Sequence, residues 1–293
     1  MLQGLPRALL AALLVAGGAG SAFAQGDATR GAYVAAAGGC VACHTEDRKG
    51  AAPFAGGRRL RTPIGTFYGP NITPHPETGL GRWSEADFIR AMREGIRPDG
   101  AHYYPAFPYP SFTRIADGDL RDLWAYLRTL APSGRVNQPH ELRFPFRWRA
   151  SIALWKWLYF TRGPQAGGTG RTPVVDRGAY LVDALGHCGE CHTPRNFVGV
   201  PKRGRYLAGT MGPGQKGSPG AKGVPNLTPT RLAKWSDVEL REFLLSGITP
   251  EFDSADETMA EVVRNTTSQL TPGDLAALIA FLRIVPPLAD ESR

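Results

Sequence analysis

The chain has 293 residues, of which 42% are hydrophobic and 20% charged, an ordinary globular composition at a length that suggests two compact units. A net charge of +8 suggests a nucleic-acid ligand only until it is located: residues 25–131 carry +2, residues 132–171 carry +6 and residues 172–293 carry −1. This excludes a general basic face and leaves one cationic connector, suited to an acidic partner, to the carboxylates of a cofactor or simply to solvent.

Residues 1–24 read as a secretory leader, with Arg7 before an apolar stretch from Ala8 to Ala16 and a small-residue cleavage signal at Ala22-Phe23-Ala24. That stretch falls short of the ~20 apolar residues that span a bilayer. The mature chain is therefore expected in the periplasm, without a transmembrane anchor.

The first unit, residues 25–131, opens with Arg30-Gly31-Ala32-Tyr33 and runs into Cys40-Val41-Ala42-Cys43-His44-Thr45. Pro70-Asn71-Ile72-Thr73-Pro74 follows, then Trp83-Ser84, where Ser84 reads as a helix N-cap and Asp87 as its capping-box partner. Gly95 follows twelve residues after Trp83. Leu120, Leu123, Trp124, Leu127 and Leu130 fall at the spacing of an amphipathic helix. The connector, residues 132–175, contains FPFRWRASIALWKWLYF (144–160), too short and too charged to span a membrane. It is expected to cover a neighbouring unit, and peripheral contact with a membrane surface is its other use.

The second unit, residues 176–293, repeats every landmark in order. Arg177-Gly178-Ala179-Tyr180 precedes Cys188-Gly189-Glu190-Cys191-His192-Thr193; Pro225-Asn226-Leu227-Thr228-Pro229, Trp235-Ser236 and Gly247 follow. Trp and Gly are twelve residues apart in both units. Leu275, Leu278, Ile279, Leu282 and Val285 form the closing helix, started by Thr271-Pro272. With no convincing strand alternation, the fold is expected to be mainly α and rich in loops. Units this small need a bound group to complete a core.

All four cysteines lie in two C-x-x-C-H motifs, the signature of covalent c-type haem attachment. One helical turn lets both thiols reach the two vinyl-derived positions of a porphyrin while the next histidine rises beneath the iron. Cys40, Cys43, Cys188 and Cys191 are thus the expected attachment points of two haems, with His44 and His192 as proximal ligands. A thioredoxin-like redox pair, a disulfide framework and a Cys/His zinc site compete with this reading. A redox pair has no need of the following histidine, and a zinc site has no need of a repeated unit around each motif.

Taken with GTFYGPNIT (65–73), Trp83-Ser84, Tyr104-Pro105-Ala106-Phe107-Pro108-Tyr109 and the Gly186-His187 that precedes CGECHTPRN, these motifs make the chain resemble the diheme class I cytochromes c. Within that family it is most similar to the cytochrome subunits that accept electrons from periplasmic dehydrogenases. The resemblance covers nearly the whole mature chain and implies two class I domains in tandem. It also implies that Pro70 and Pro225 present backbone carbonyls to His44 and His192. Many such subunits carry a third haem and a C-terminal membrane anchor, neither of which is expected here.

For the distal ligands, Met259 lies twelve residues after Gly247 on the loop before the last helix, where the family places its methionine. Twelve residues after Gly95 stands Phe107, which cannot bind iron, where similar cytochromes have methionine. The nearest donor on that loop is His102, so the expected metal ligands are His44, His192, Met259 and His102. An open iron, or Met92 or Tyr103 as donor, are the alternatives in the first unit; Met92 reads as core and Met211 as a poor candidate. The implied function is electron carriage from a dehydrogenase to a downstream cytochrome or oxidase, without catalysis by the chain itself. The alternative is a diheme peroxidase-like or thiosulfate-oxidising enzyme using an open first haem.

Overall fold

A computed structural model describes residues 26–163, 171–210 and 223–290. The leader and Met211 lie outside the described residues. The first unit contains α1 (Ala28–Ala37), α2 (Cys40–His44), β1 (Arg59–Thr62), β2 (Gly65–Tyr68), α3 (Glu85–Glu94), α4 (Tyr109–Phe112) and α5 (Asp117–Leu127). The connector supplies β3 (Glu141–Leu142) and α6 (Ala150–Tyr159). The second unit has α7 (Pro173–Tyr180), which continues as a π turn to Leu185, then α8 (Gly189–His192), α9 (Pro229–Leu232), α10 (Asp237–Ser246), α11 (Glu257–Asn265) and α12 (Pro272–Ile284).

The helix starts follow local chemistry. Ser84 and Ser236 accept from the amides of Asp87 and Glu239, whose carboxylates bond back to the cap amides, and Gly95 and Gly247 end both helices with φ of 59° and 76°. Thr271 caps α12 and Pro272 occupies its first turn.

The repeated R-G-A-Y segment has a different use for each of its three functional residues. Glycine lets the first and last helices of a unit cross in contact: a Cβ on Gly31 would lie 1.9 Å from the Asp122 carbonyl oxygen, and one on Gly178 1.9 Å from that of Ala277. Arginine ties the same crossing, with Arg30 Nε 2.7 Å from Asp122 and Arg177 Nε and Nη2 2.8 and 2.6 Å from Asp274. Tyrosine crosses to the other unit. Tyr33 Oη donates to Asp274 at 2.5 Å and accepts from the Thr271 amide, while Tyr180 Oη donates to Asp119 at 2.6 Å and accepts from the Ala116 amide. The units are thus joined reciprocally, and one apolar core runs through both, including Leu120, Leu123, Leu127, Leu275, Leu278 and Leu282.

The fold is mainly helical, as expected, with a short antiparallel sheet in the order β1-β2-β3 that no alternation in the sequence announced. Strands of four, four and two residues are too short to show a period of two. Gly65, at φ 135°, lets β3 approach, since a Cβ there would sit 2.2 Å from the Glu141 carbonyl oxygen.

The connector covers the first unit, as expected. Arg149 donates to the His102 carbonyl at 2.9 Å, Tyr104 Oη to that of Phe146 at 2.9 Å, and Lys156 Nζ to that of Glu94. Its outer side leaves Phe144, Trp148 and Trp157 at 79%, 68% and 80% exposure. Among the described residues, no helix is long and apolar enough to cross a membrane.

Candidate haem sites

In α2 the cysteines are three residues apart and therefore share a helix face with their side chains adjacent. The second motif repeats this at Cys188 and Cys191, at the start of α8. All four thiols are free. Burial pushes the thiols of Cys40 and Cys188 up to about 12, the reverse of what a thiolate-based redox pair requires. Among the described residues no three His, Cys, Asp or Glu side chains converge as a metal cluster.

The histidines are oriented for an iron. His44 Nδ1 lies 2.8 Å from the Pro70 carbonyl oxygen and His192 Nδ1 2.7 Å from that of Pro225. Only an N–H can satisfy a carbonyl, so each Nδ1 carries the hydrogen and each Nε2 keeps its lone pair. Burial lowers the pKa of both imidazoles, which keeps them neutral and able to ligate. This donor set fits a haem held by two thioethers and an axial imidazole.

The loops that hold the prolines share their asparagine and threonine but differ before the proline, where Gly69 is matched by Val224. Gly69 packs so tightly on the attachment turn that a Cβ would lie 1.8 Å from the Cys43 carbonyl oxygen. Asn71 and Asn226, both 2% exposed, accept from the Thr73 and Thr228 amides at 2.9 and 2.7 Å; their Nδ2 groups donate to the Ser133 and Leu288 carbonyls. Sequence reasoning missed a further pair. Gly56 and Gly209, at φ 78° and 75°, donate to the carbonyls of His44 and His192 at 2.7 and 2.8 Å. Thr45 and Thr193 Oγ1 accept from the Phe54 and Leu207 amides just before them. The signal was an Ala-Gly after an apolar residue, Phe54-Ala55-Gly56 and Leu207-Ala208-Gly209, displaced because the following loops differ in length.

On the distal side the backbone supports the register of Phe107 with Met259. Ile96 bridges His102 as Ile248 bridges Ser254, and the Tyr103 amide donates to Gly95 as the Ala255 amide donates to Gly247, at 2.8 and 2.7 Å. Four residues further on stand Phe107 and Met259. Met259 is half-buried in the first turn of α11, its amide capped by Asp256. Phe107 packs edge-on against Tyr103 and Phe112. Met92 is buried in the core. His102 Nδ1 lies 3.0 Å from Lys156 Nζ. An ammonium only donates, so Nδ1 accepts and the imidazole hydrogen sits on Nε2. His140 accepts from the Tyr68 amide, His75 lies against Thr78, and His187 packs its ring edge-on against Phe112 of the first unit.

The two attachment segments meet the opposite unit. Ser111 Oγ in α4 donates to Glu190 at 2.6 Å, and Arg58 pairs with Glu261 of α11 at 2.6 Å. The Cys43 thiol is raised first by burial, then by Glu261, with Cys191 also contributing. Each distal segment therefore abuts the attachment turn of the other unit.

Imidazoles poised by proline carbonyls beside paired thiols define a c-type haem protein. The family model for cytochrome c matches residues 28–131. A diheme cytochrome c-type protein of Cereibacter sphaeroides is 45% identical, over 95% of this chain and 97% of the relative. The fructose dehydrogenase cytochrome subunit of Gluconobacter japonicus is 39% identical over 90% of this chain and 54% of its own length. The cytochrome c subunit of the alcohol dehydrogenase (quinone) of Gluconobacter oxydans is 37% identical over 89% of this chain and 55% of its own length. The chain belongs to the cytochrome c family and is an electron-transfer protein that binds haem c covalently. It spans nearly all of the first of these relatives but only about half of each of the other two.

Proposed function

We propose that the chain is a periplasmic diheme cytochrome, exported by a leader at residues 1–24, that carries electrons from a dehydrogenase to a downstream cytochrome or oxidase. Residues 25–131 and 176–293 form two class I domains in tandem, joined by residues 132–175. Cys40 and Cys43 hold haem 1; Cys188 and Cys191 hold haem 2. The observation that carries this reading is the matched contact of His44 with Pro70 and His192 with Pro225, because it prepares the same iron-binding nitrogen twice. The dehydrogenase subunits among the relatives support the donor class.

Met259 is the proposed sixth ligand of haem 2, and His102, the one imidazole on the Phe107 loop, that of haem 1. Methionine favours ferrous iron relative to imidazole, so haem 2 has the higher potential and electrons run from haem 1 to haem 2. The Lys156 contact at His102 Nδ1 favours a second reading, in which haem 1 lacks a strong protein ligand on its distal side. Low-temperature EPR with a redox titration of the purified holoprotein tests both. Two low-spin haems, the one with a methionine-to-iron charge-transfer band having the higher potential, support the first; a high-spin haem 1 supports the second. A single haem per chain refutes the diheme assignment.

A further inference from the structure

The two units differ most at the C-terminal end of the helix that Gly95 or Gly247 closes. In the first unit this end is filled. The Tyr109 ring lies against Gly95, Phe160 packs edge-on against Tyr109 at 5.2 Å, and Lys156 places its ammonium over the Tyr109 ring. That ammonium also donates to the Glu94 carbonyl and, at 3.4 Å, to the Gly95 carbonyl, a cation placed where the helix dipole favours one.

In the second unit nothing from this chain takes that place among the described residues. The nearest side chains to Gly247 are Ala255 and Val263, and a hollow of about 510 Å³ opens there, lined by Gly247, Ile248, Ser254, Ala255, Val263 and one charged residue, Arg264. The 251–257 loop, which contributes Ser254 and Ala255 to the hollow, is acidic where the first unit's is not. Glu251, Asp253 and Glu257 are exposed and form no ion pair among the described residues, whereas their counterparts are Asp99, which is paired with Arg97 at 2.8 Å, Ala101 and Pro105. Between them Phe252, 90% exposed at φ 63°, stands at the tip of the loop. The hollow adjoins the first turn of α11, which carries Met259.

We propose that this hollow and its acidic loop are the docking site of a basic redox protein, which places a lysine or arginine at the end of α10 as Lys156 is placed at the end of α3. The internal repeat points to the kind of group the hollow takes, and the three carboxylates of the loop, outnumbering Arg264, supply the complementary charge. This rests on the reading of the second unit as a haem-bearing electron carrier. Because haem 2 is assigned the higher potential, the partner is the acceptor: its ferric iron gains one electron and the second unit's ferrous iron loses one.

Stopped-flow mixing of the dithionite-reduced, full-length holoprotein with ferric mitochondrial cytochrome c, as a basic probe, tests the site. The second-order rate is expected to fall as salt rises. The triple variant Glu251→Gln, Asp253→Asn, Glu257→Gln is expected to lower the low-salt rate about ten-fold and flatten its salt dependence. Ser254→Lys, which supplies a cation from within, is expected to lower it as well. Both variants are to keep the wild-type potentials and charge-transfer band. Unchanged rates in both overturn the proposal, as does a shift in oligomeric state by light scattering in place of a rate change, which marks the site as a contact between copies. If dithionite fails to reduce a haem in the second unit of wild type, the electron-carrier reading itself fails, independently of the docking result.

Discussion

Replacing Asp274 by alanine tests the reciprocal tie between the units. This carboxylate, 9% exposed, receives two hydrogen bonds from Arg177 of its own unit and one from Tyr33 of the other. Hydrogen bonds to a charged group contribute about 1.5–3 kcal/mol each, but Arg177 is 38% exposed and regains water when its partner is lost. The expected cost is about 3 kcal/mol. Asp119, its counterpart, holds only Tyr180, because Arg30 is bound by Asp122 instead; Asp119→Ala should therefore cost about 1 kcal/mol. Urea unfolding of both variants, followed by far-UV circular dichroism and haem absorbance, measures the difference. Burial pushes the Asp274 pKa up, but Arg177 and Tyr33 more than offset this and hold it below 3.8. Its stabilisation is therefore complete above the unfolded value and lost as pH falls through the lower folded one, so the gap between wild type and Asp274→Ala should close in acid. Equal costs for the two alanine variants, or a gap independent of pH, would refute the asymmetry of the tie.

Gly178→Ala should cost more than about 3 kcal/mol or abolish maturation, since its Cβ meets the Ala277 carbonyl oxygen in the helix crossing; Gly273→Ala, with open space around it, should be neutral or stabilising by up to ~1 kcal/mol, and unfolding midpoints decide both. Phe107→Met, which places a thioether at the position matching Met259, should add a second methionine-to-iron charge-transfer band and raise the lower of the two reduction potentials. The exposed aromatic side of the connector, with Arg143 and Arg147 beside it, should bind anionic phospholipid vesicles more than zwitterionic ones. Trp157→Ser with Leu158→Ser should weaken that binding in a flotation assay without changing the visible spectrum.

Local chemistry was legible in the sequence. The Ser84 and Ser236 boxes, the Thr271-Pro272 start and the leucine stripes of α5 and α12 depend on residues within one or two turns, and the structure has each of them. The R-G-A-Y repeat was visible as a landmark, but its use was not, because Tyr33 and Asp274 are separated by 241 positions and no periodicity links them. The Gly56 and Gly209 pair escaped notice for a related reason: a change in loop length breaks the alignment although both amides bind the same histidine carbonyl. His102 was legible as a donor and not as a partner of Lys156, 54 residues away on a helix from the connector.

That last contact, with the filled first hollow and the open second one, gives the duplication a direction. The two helix ends differ because the connector's Lys156 and Phe160 pack at the end of α3, while its contact with the second unit, Trp155 Nε1 to the Val198 carbonyl, lies elsewhere. In the first unit, Phe160 closes the hollow against Tyr109, and Lys156 contacts His102 of the distal loop. In the second, Met259 lies beside an open hollow and its acidic loop. Each attachment segment also lies against the other unit's distal segment, through Glu190 with Ser111 and Arg58 with Glu261. On the proposed two-haem reading, a sheltered unit joined to an open one confines exchange with a partner to one end and leaves transfer between the haems to the contact between the two units.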